Sequence, residues 1–173
     1  AGAFVVPNWG LGELRQEAIG EDKFLNQIYS AEEMSGLTKN FSRRYAKFRN
    51  SNELEAELAS SFMNMLDAGV DIVLGTDAGA VPNHPFGYTG HRELEIYVRL
   101  GMSPMQAIIA ATSNAAKHLG LTDLGLLKAG YSADFIILDE NPVEEIRNTR
   151  TIDSVYLSGN KIDRAALQRG WAP

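Results

Sequence analysis

The sequence contains no cysteine, so disulfide bonds and thiolate metal ligands are both excluded. It also contains only three histidines among its 173 residues. A metal site in this chain must therefore be built from histidine nitrogens and carboxylate oxygens. The spacings His-x-His and His-Glu-x-x-His, which place two ligands on one strand or one helix, are both missing.

Long apolar runs and excess positive charge are missing as well. No stretch of 18 apolar residues and no signal peptide is found, which predicts a cytoplasmic protein with no membrane partner. The formal net charge is -6, whereas a nucleic-acid-binding domain carries a basic surface. We therefore expect no nucleic-acid partner. A hydrophobic content of 45% is ordinary for a globular protein of this length.

Two short apolar segments predict buried strands, Phe4–Val6 and Val70–Leu74. Helical patterns lie between them: Ser30–Glu33 has the form of a capping box, and a second helix begins near Asn52 and ends at Gly69. A strand, helices and a second strand form a crossover connection. The order therefore predicts that the two strands are parallel.

The next segment predicts a Gly/Pro-rich loop from Ala78 to Gly90 and a helix from about Arg92 to Leu100. Another helix begins with Ser103 as N-cap, Pro104 in its first turn and a glutamine three residues after the cap. Its helical spacing predicts one inward stripe. The stripe consists of Met105, Ile108, Ile109, Thr112, Ala115, Ala116 and Leu119.

After residue 120 the pattern changes to short β-type runs separated by glycine and proline, such as Phe135–Leu138 and Ser154–Leu157. Runs of this kind are typical of a small β unit beside an α/β part. We therefore predict two parts, 1–120 and 121–173.

Asp77 is the strongest candidate for chemistry. It follows the second buried strand, and active sites of parallel α/β folds lie at the carboxyl ends of the strands. A carboxylate at such a position can bind a divalent metal and accept a proton from water. The residue type equally suits a cap for the next loop or helix. Position alone leaves these two interpretations open.

The three histidines are weaker candidates. His91 is expected in the loop before a helix, from which it could reach the site and contact substrate. His84 is expected to be a loop residue between prolines. His118 is expected at a helix end, where a cation is favoured by the helix dipole.

A series of linked motifs resembles the amidohydrolase superfamily, in its imidazolonepropionase-like and Xaa-Pro-dipeptidase-like branch. The series covers about residues 65–165 in consecutive order. It comprises Val73–Gly79 (VLGTDAG), His91–Glu95 (HRELE), Gly101–Ala107 (GMSPMQA), Ala110–Ala116 (AATSNAA), Gly130–Leu138 (GYSADFIIL), Asn141–Pro142 and Val155–Asn160 (VYLSGN).

The resemblance implies the C-terminal part of a (β/α)8 TIM-like barrel, followed by the segment that returns into a small β-sandwich. Phe4–Val6 would then be the seventh barrel strand and Val70–Leu74 the eighth. Asp77 would be the last ligand of a divalent metal, zinc by preference, and the general base for the attacking hydroxide. The resemblance also implies that the other metal ligands come earlier in the family's pattern, and no residue of this sequence matches them.

The sequence thus predicts a metal-dependent hydrolase that cleaves an amide or related C–N bond of a small molecule, such as a dipeptide or a cyclic amide. The expected assembly is a homo-oligomer or a complex with the missing N-terminal part of the enzyme. The alternative is a non-catalytic module or subunit that completes its fold with a partner chain through open strand edges.

Overall fold

A computed structural model describes residues 2–13, 19–20, 22–44, 52–80 and 84–171. The first part contains β1 (Phe4–Val5), α1 (Gly10–Glu13), a 3-10 turn (Leu25–Gln27), α2 (Ala31–Arg44), α3 (Asn52–Asp67) and β2 (Asp71–Ile72). Next come α4 (Tyr88–Arg99), α5 (Pro104–Ala111), α6 (Ser113–His118) and β3 (Phe135–Leu138). The last elements are a 3-10 helix (Ile146–Arg150), β4 (Ile152–Leu157), β5 (Asn160–Lys161) and α7 (Arg164–Trp171). Within the described ranges, no helix is both long enough and apolar enough to cross a membrane.

The predicted parallel strand pair is confirmed. Phe4 lies opposite Asp71 in β1 and β2, and Val5 lies opposite Ile72. The backbone N–H of Val73 then donates to the Val5 carbonyl at 2.9 Å, which carries the pairing one residue beyond β2. The regular strands are thus shorter than predicted, but they run in the same direction and end at the same edge. Asn8 and Asp77 follow these two strand ends.

Local side-chain chemistry starts two helices as predicted. At α2, the Ser30 backbone N–H donates to Glu33 Oε2 at 2.8 Å, and the Glu33 N–H donates to Ser30 Oγ at 3.3 Å. At α5, Ser103 and Gln106 form the same reciprocal pair, and Pro104 occupies the first turn. Both capping boxes satisfy N–H groups that a helix start leaves without an intrahelical partner.

The main core lies between α3, α4, α5 and β2. Its buried members are Phe62, Ile72, Leu94, Ile96, Tyr97, Leu100, Met102, Ala107, Ala110 and Ile146. Ile146 comes from the 3-10 helix near the C-terminus, so that segment packs into the same core. A second buried cluster contains Ile19, Leu25, Met34 and Tyr88. It joins the start of α4 to the segment before α2.

The predicted inward stripe of the helix after Ser103 is partly wrong. Met105, Ile109 and Leu119 are exposed, Ile109 at 39%, whereas Ala107 and Ala110 are fully buried. The Leu74 N–H donates to the Ala110 carbonyl at 3.0 Å, which requires a closer approach than large side chains allow. The small residues therefore face the core, and the long apolar side chains turn outward. The helix is also divided at Thr112, whose ψ of -87° breaks the helical path.

Charged residues join α4 to the C-terminal segment. The Glu95 carboxylate, which is buried, forms ion pairs with Arg92, Arg150 and, at 3.2 Å, Arg147. Arg150 also pairs with Asp22 at 2.9 Å. A buried carboxylate is tolerated only when its charge is compensated, and three guanidinium groups do so here.

The C-terminal segment forms an antiparallel sheet in the order β3-β4-β5, with Phe135 opposite Tyr156 and Tyr156 opposite Lys161. Ser158 and Gly159 connect β4 to β5 with positive φ angles of 49° and 78°. Two left-handed residues are typical of a tight hairpin turn. The boundary near residue 120 stays a prediction.

Candidate active site

Asp77 lies just beyond the end of β2, and its backbone is in the left-handed region with φ of 51°. Its side chain is exposed at this edge of the sheet. No hydrogen bond or ion pair to the carboxylate is found within the described ranges. Aspartate adopts a positive φ more readily than most non-glycine residues, and residues in this conformation cluster at functional sites. Asp77 is therefore held in place by its backbone, with its carboxylate open to a ligand.

The loop after Asp77 folds back onto the same residue. The Gly79 N–H donates to the His84 carbonyl at 3.1 Å, and His84 Nδ1 lies 3.3 Å from the Asp77 carbonyl oxygen. His84 is only 2% exposed. His84 is a loop residue, as predicted, and its buried ring contacts the Asp77 backbone. Residues 81–83 of the predicted loop lie outside the described ranges.

His91 does not lie in a loop, contrary to the prediction, because α4 begins earlier, at Tyr88. Its Nδ1 is 3.0 Å from Thr149 Oγ1, and its ring meets the Phe24 ring edge-on at 5.3 Å. Burial, reinforced by the Arg150 charge, lowers the pKa of His91 to about 4. The imidazole is therefore neutral at pH 7. Its contact with substrate stays a prediction.

His118 ends α6 as predicted and has a definite partner. Its Nε2 lies 2.9 Å from Asp71 Oδ2, and its ring stacks on Phe4 with centroids 4.1 Å apart. Hydrogen bonds from Lys117 and His118 lower the pKa of the Asp71 carboxyl. These groups lie at the start of β2, at the opposite end of the strand from Asp77. They fasten α6 to the sheet.

Glu93 and Tyr97 are the residues that the sequence analysis missed. Glu93 is 1% exposed, and its carboxylate accepts the backbone N–H groups of Trp9 at 2.7 Å and Gly10 at 2.6 Å. The Tyr97 hydroxyl donates to the Val73 carbonyl at 3.3 Å, and it also contacts Glu93. Burial raises the pKa of Tyr97 above its usual value.

Together, Glu93 and Tyr97 hold the backbone after β1 and the backbone leading to Asp77. The burial of Glu93 could have been predicted from the sequence. Glu93 is spaced three and four residues from Ile96 and Tyr97, so it lies on the apolar stripe of α4. An acid at such a position is buried, and a buried acid needs donors.

Asp77 fits a metal site as one carboxylate ligand. Hard divalent ions and zinc both accept carboxylate oxygen, and this carboxylate is exposed at the carboxyl end of a strand. Within the described ranges, no group of three or more histidine, aspartate or glutamate side chains is placed to hold a metal ion. Among the described residues Asp77 is therefore a single ligand rather than a complete site.

Comparison with known proteins identifies the class. The sequence profile of the amidohydrolase family matches residues 26–162, so the chain belongs to the amidohydrolase family, as the linked motifs predicted. This is a family of TIM-barrel hydrolases that typically use a divalent metal. The mixed α/β structure of the chain agrees with that fold class.

Individual relatives support the same branch. The chain is 39% identical over 126 residues to ochratoxinase from Aspergillus niger, covering 70% of this chain and 23% of that protein. It is 34% identical over 102 residues to imidazolonepropionase from Deinococcus radiodurans, covering 57% of this chain and 25% of that protein. The chain therefore spans about a quarter of the length of these relatives.

Among solved structures, a Xaa-Pro dipeptidase with methionine bound in its active site superposes with a TM-score of 0.62. It is 27% identical, and the alignment covers 93% of this chain and 34% of the dipeptidase. Phenylurea hydrolase B gives a TM-score of 0.56 at 35% identity, covering 62% of this chain and 27% of that one.

Proposed function

We propose that the chain supplies the last strand-helix units of a TIM-like barrel in a metal-dependent amidohydrolase. The enzyme would hydrolyse an amide or related C–N bond of a small molecule, such as a dipeptide or a cyclic amide. The observation that carries the proposal is the Asp77 carboxylate, which is exposed beyond a strand end on a left-handed backbone. The similarity to a Xaa-Pro dipeptidase and an imidazolonepropionase supports the choice of bond.

Asp77 has two roles in this proposal. Its carboxylate is one ligand of a divalent cation, zinc by preference, and it accepts a proton from the attacking water. When bound, such a cation supplies Lewis-acid activation of water and of the substrate carbonyl. The water oxygen forms a bond to the carbonyl carbon, the C–N bond breaks, and the proton held by Asp77 passes to the leaving nitrogen.

The surrounding residues keep Asp77 in place rather than react. His84 and the Gly79 N–H fix the loop on one side, and Tyr97 fixes the Val73 backbone on the other. A general base must stay within hydrogen-bonding reach of the proton it removes. Rigid backbone on both sides of Asp77 serves that requirement.

A direct test uses the full-length protein that carries this chain. It is stripped with a chelator, reloaded with zinc, manganese or buffer alone, and assayed on Xaa-Pro dipeptides, N-acyl amino acids and cyclic amides. Activity on at least one substrate that requires the metal and is lost in Asp77→Asn supports the proposal. Turnover that persists in Asp77→Asn contradicts it.

The same preparation tests the non-catalytic alternative. A module that only completes its fold with a partner chain would co-purify with that partner at a fixed ratio. It would show no metal-dependent turnover on any substrate of the panel. Mass determination of the purified assembly, together with the assay, therefore separates the two functions. The cytoplasmic location and the homo-oligomeric state stay predictions.

A further inference from the structure

Asn8 lies beyond the end of β1, as Asp77 lies beyond the end of β2. Both residues have a φ angle of 51°, and β1 and β2 are parallel neighbours. Within the described ranges, the only other non-glycine residue with positive φ is Ser158, in the hairpin turn of the small sheet. Beyond the ends of two adjacent strands, an asparagine and an aspartate thus share a left-handed conformation that these two residue types adopt more readily than most others.

The backbone that follows Asn8 is fixed by Glu93. The buried carboxylate accepts the N–H groups of Trp9 and Gly10, and the Leu11 N–H donates to the Asn8 carbonyl at 3.2 Å. A Cβ atom at Gly10 would lie 2.8 Å from Glu93 Oε2, so a side chain there would displace the carboxylate from this position. The positive φ of Asn8 is therefore imposed by the buried carboxylate and a tight turn.

The Asn8 side chain lies against the backbone between β2 and Asp77. A Cβ atom at Gly75 would lie 2.8 Å from Asn8 Oδ1 and 2.3 Å from Val6 Cγ1. Gly75 is two residues before Asp77, and the missing side chain there makes the space that the Asn8 carboxamide fills. Asn8 Oδ1 is fully covered and has no hydrogen-bond partner in the described part of the protein.

Asparagine suits the left-handed backbone at this position, but its side-chain oxygen is covered and has no partner in the described part of the chain, which is unfavourable for the fold. The Nδ2 group, unlike Oδ1, is not among the fully covered atoms without a partner, so it stays open to a ligand within the described part of the chain. In enzymes of this fold class, hydrogen-bond donors held at the carboxyl ends of strands orient polar substrates.

We propose that Asn8 contacts the substrate, its Nδ2 group donating a hydrogen bond to an oxygen of the substrate's acyl group beside Asp77. The inference rests on the proposed function, since it requires that Asp77 marks the reacting end of the sheet. The substrate would therefore carry an amide or carboxylate group, because the oxygen of such a group accepts a hydrogen bond from a carboxamide N–H.

Two variants of the full-length enzyme test the contact. Asn8→Gly deletes the carboxamide and keeps the backbone, because glycine adopts a positive φ without strain. Asn8→Asp keeps the shape and removes the N–H donor. Ser158→Gly is the matched control, since it makes the same kind of change at a positive φ in the exposed hairpin turn. For each variant kcat, KM, metal content and melting temperature are measured on the best substrate of the panel.

We expect both Asn8 variants to lower kcat/KM at least tenfold, with metal content and melting temperature close to wild type. Ser158→Gly should stay within twofold. The inference is overturned if Asn8→Gly keeps kcat/KM within twofold, or if it loses activity only because it loses metal or unfolds. An inactive Asp77→Asn beside a fully active Asn8→Gly refutes the Asn8 contact alone. A fully active Asp77→Asn refutes the proposed function itself.

Discussion

Glu93 Oε2 accepts the backbone N–H of Gly10 at 2.6 Å, although 83 residues separate the two in the sequence. The other carboxylate oxygen accepts the neighbouring Trp9 N–H at 2.7 Å. Two charge-assisted hydrogen bonds in a buried place thus join α4, which follows β2, to the turn that follows β1. The turn after β1 is in this way fixed to the helix that follows the Asp77 loop.

Replacing Glu93 should destabilise the protein. Glu93→Ala leaves two buried N–H groups without their acceptor, and we expect a loss of about 2–5 kcal/mol in the free energy of unfolding. Glu93→Gln keeps one acceptor oxygen and should lose less. Denaturant unfolding of the full-length protein measures both, with Glu57→Ala, an exposed acid in α3, as the control. Equal stability of Glu93→Ala and Glu57→Ala would contradict the structural role.

Asp77→Asn should lower kcat by about 10²- to 10⁴-fold or more, because it removes a proton acceptor and a ligand charge. The fold should be retained, since asparagine tolerates the left-handed conformation that Asp77 adopts. Steady-state kinetics at saturating metal, with circular dichroism as a check on folding, measure the effect. Asp139→Asn, at an exposed position, is the control. More than a tenth of wild-type activity at full metal occupancy would refute the assignment.

Features set by neighbouring residues could be predicted from the sequence. The capping boxes at Ser30 and Ser103 depend on residues three apart, and both are present. The parallel pairing of β1 and β2 follows from the order of elements. The position of Asp77 just beyond the second strand could be predicted because it follows the apolar run of that strand directly in the sequence.

Features set by distant packing could not be predicted in the same way. Ile109 was expected inside, but the Leu74 to Ala110 hydrogen bond brings α5 so close to the strand that only small residues fit between them. His91 was expected in a loop because the segment from Ala78 to Gly90 is rich in glycine and proline, but α4 begins within that segment, at Tyr88. The burial of Glu93 could be predicted from the apolar stripe of α4, but its acceptor role depends on Trp9 and Gly10, which lie 84 and 83 residues away. The contact of Asn8 with Gly75 is likewise set by distant backbone, which no local pattern reveals.

Ile96 and Ile109 differ in burial, so their replacement should differ in its effect on the free energy of unfolding. Ile96 is 1% exposed in the main core, so Ile96→Ala should cost about 2–5 kcal/mol of unfolding free energy. Ile109→Ala, at an exposed position of α5, should stay within about 0.5 kcal/mol. The two variants remove the same atoms, so each is the control for the other. Equal losses in denaturant unfolding would mean that Ile109 is covered in the assembled protein.

His91 should make stability depend on pH. Its pKa is lowered to about 4 in the folded protein, against 6.5 in the unfolded chain. Well above pH 6.5 the imidazole is neutral in both the folded and the unfolded state, so it does not change the free energy of unfolding. Between pH 6.5 and about 4 the unfolded chain binds a proton that the folded protein rejects, so stability falls as pH falls. The shift corresponds to a loss on the order of 3 kcal/mol.

A variant isolates this effect from other groups that titrate in the same range. Urea unfolding of wild type and His91→Gln is followed from pH 7.5 to 4.5, and the difference between the two curves is taken at each pH. We expect the wild type to lose more stability than the variant across this interval. Parallel curves would show that the His91 imidazole titrates normally in the folded protein.

The 173-residue chain on its own should neither hydrolyse amides nor hold a catalytic metal tightly. A zinc site that activates water uses three protein ligands in fixed geometry, and among the described residues Asp77 is a single ligand. Titration calorimetry with zinc and an assay on the dipeptide panel test the isolated chain, with Asp77→Asn as the matched control. We expect weak binding that differs little between the two and no turnover in either. Stoichiometric binding with a Kd below about 1 μM, equivalent to roughly 8 kcal/mol, that is lost in Asp77→Asn would show that this chain carries further ligands.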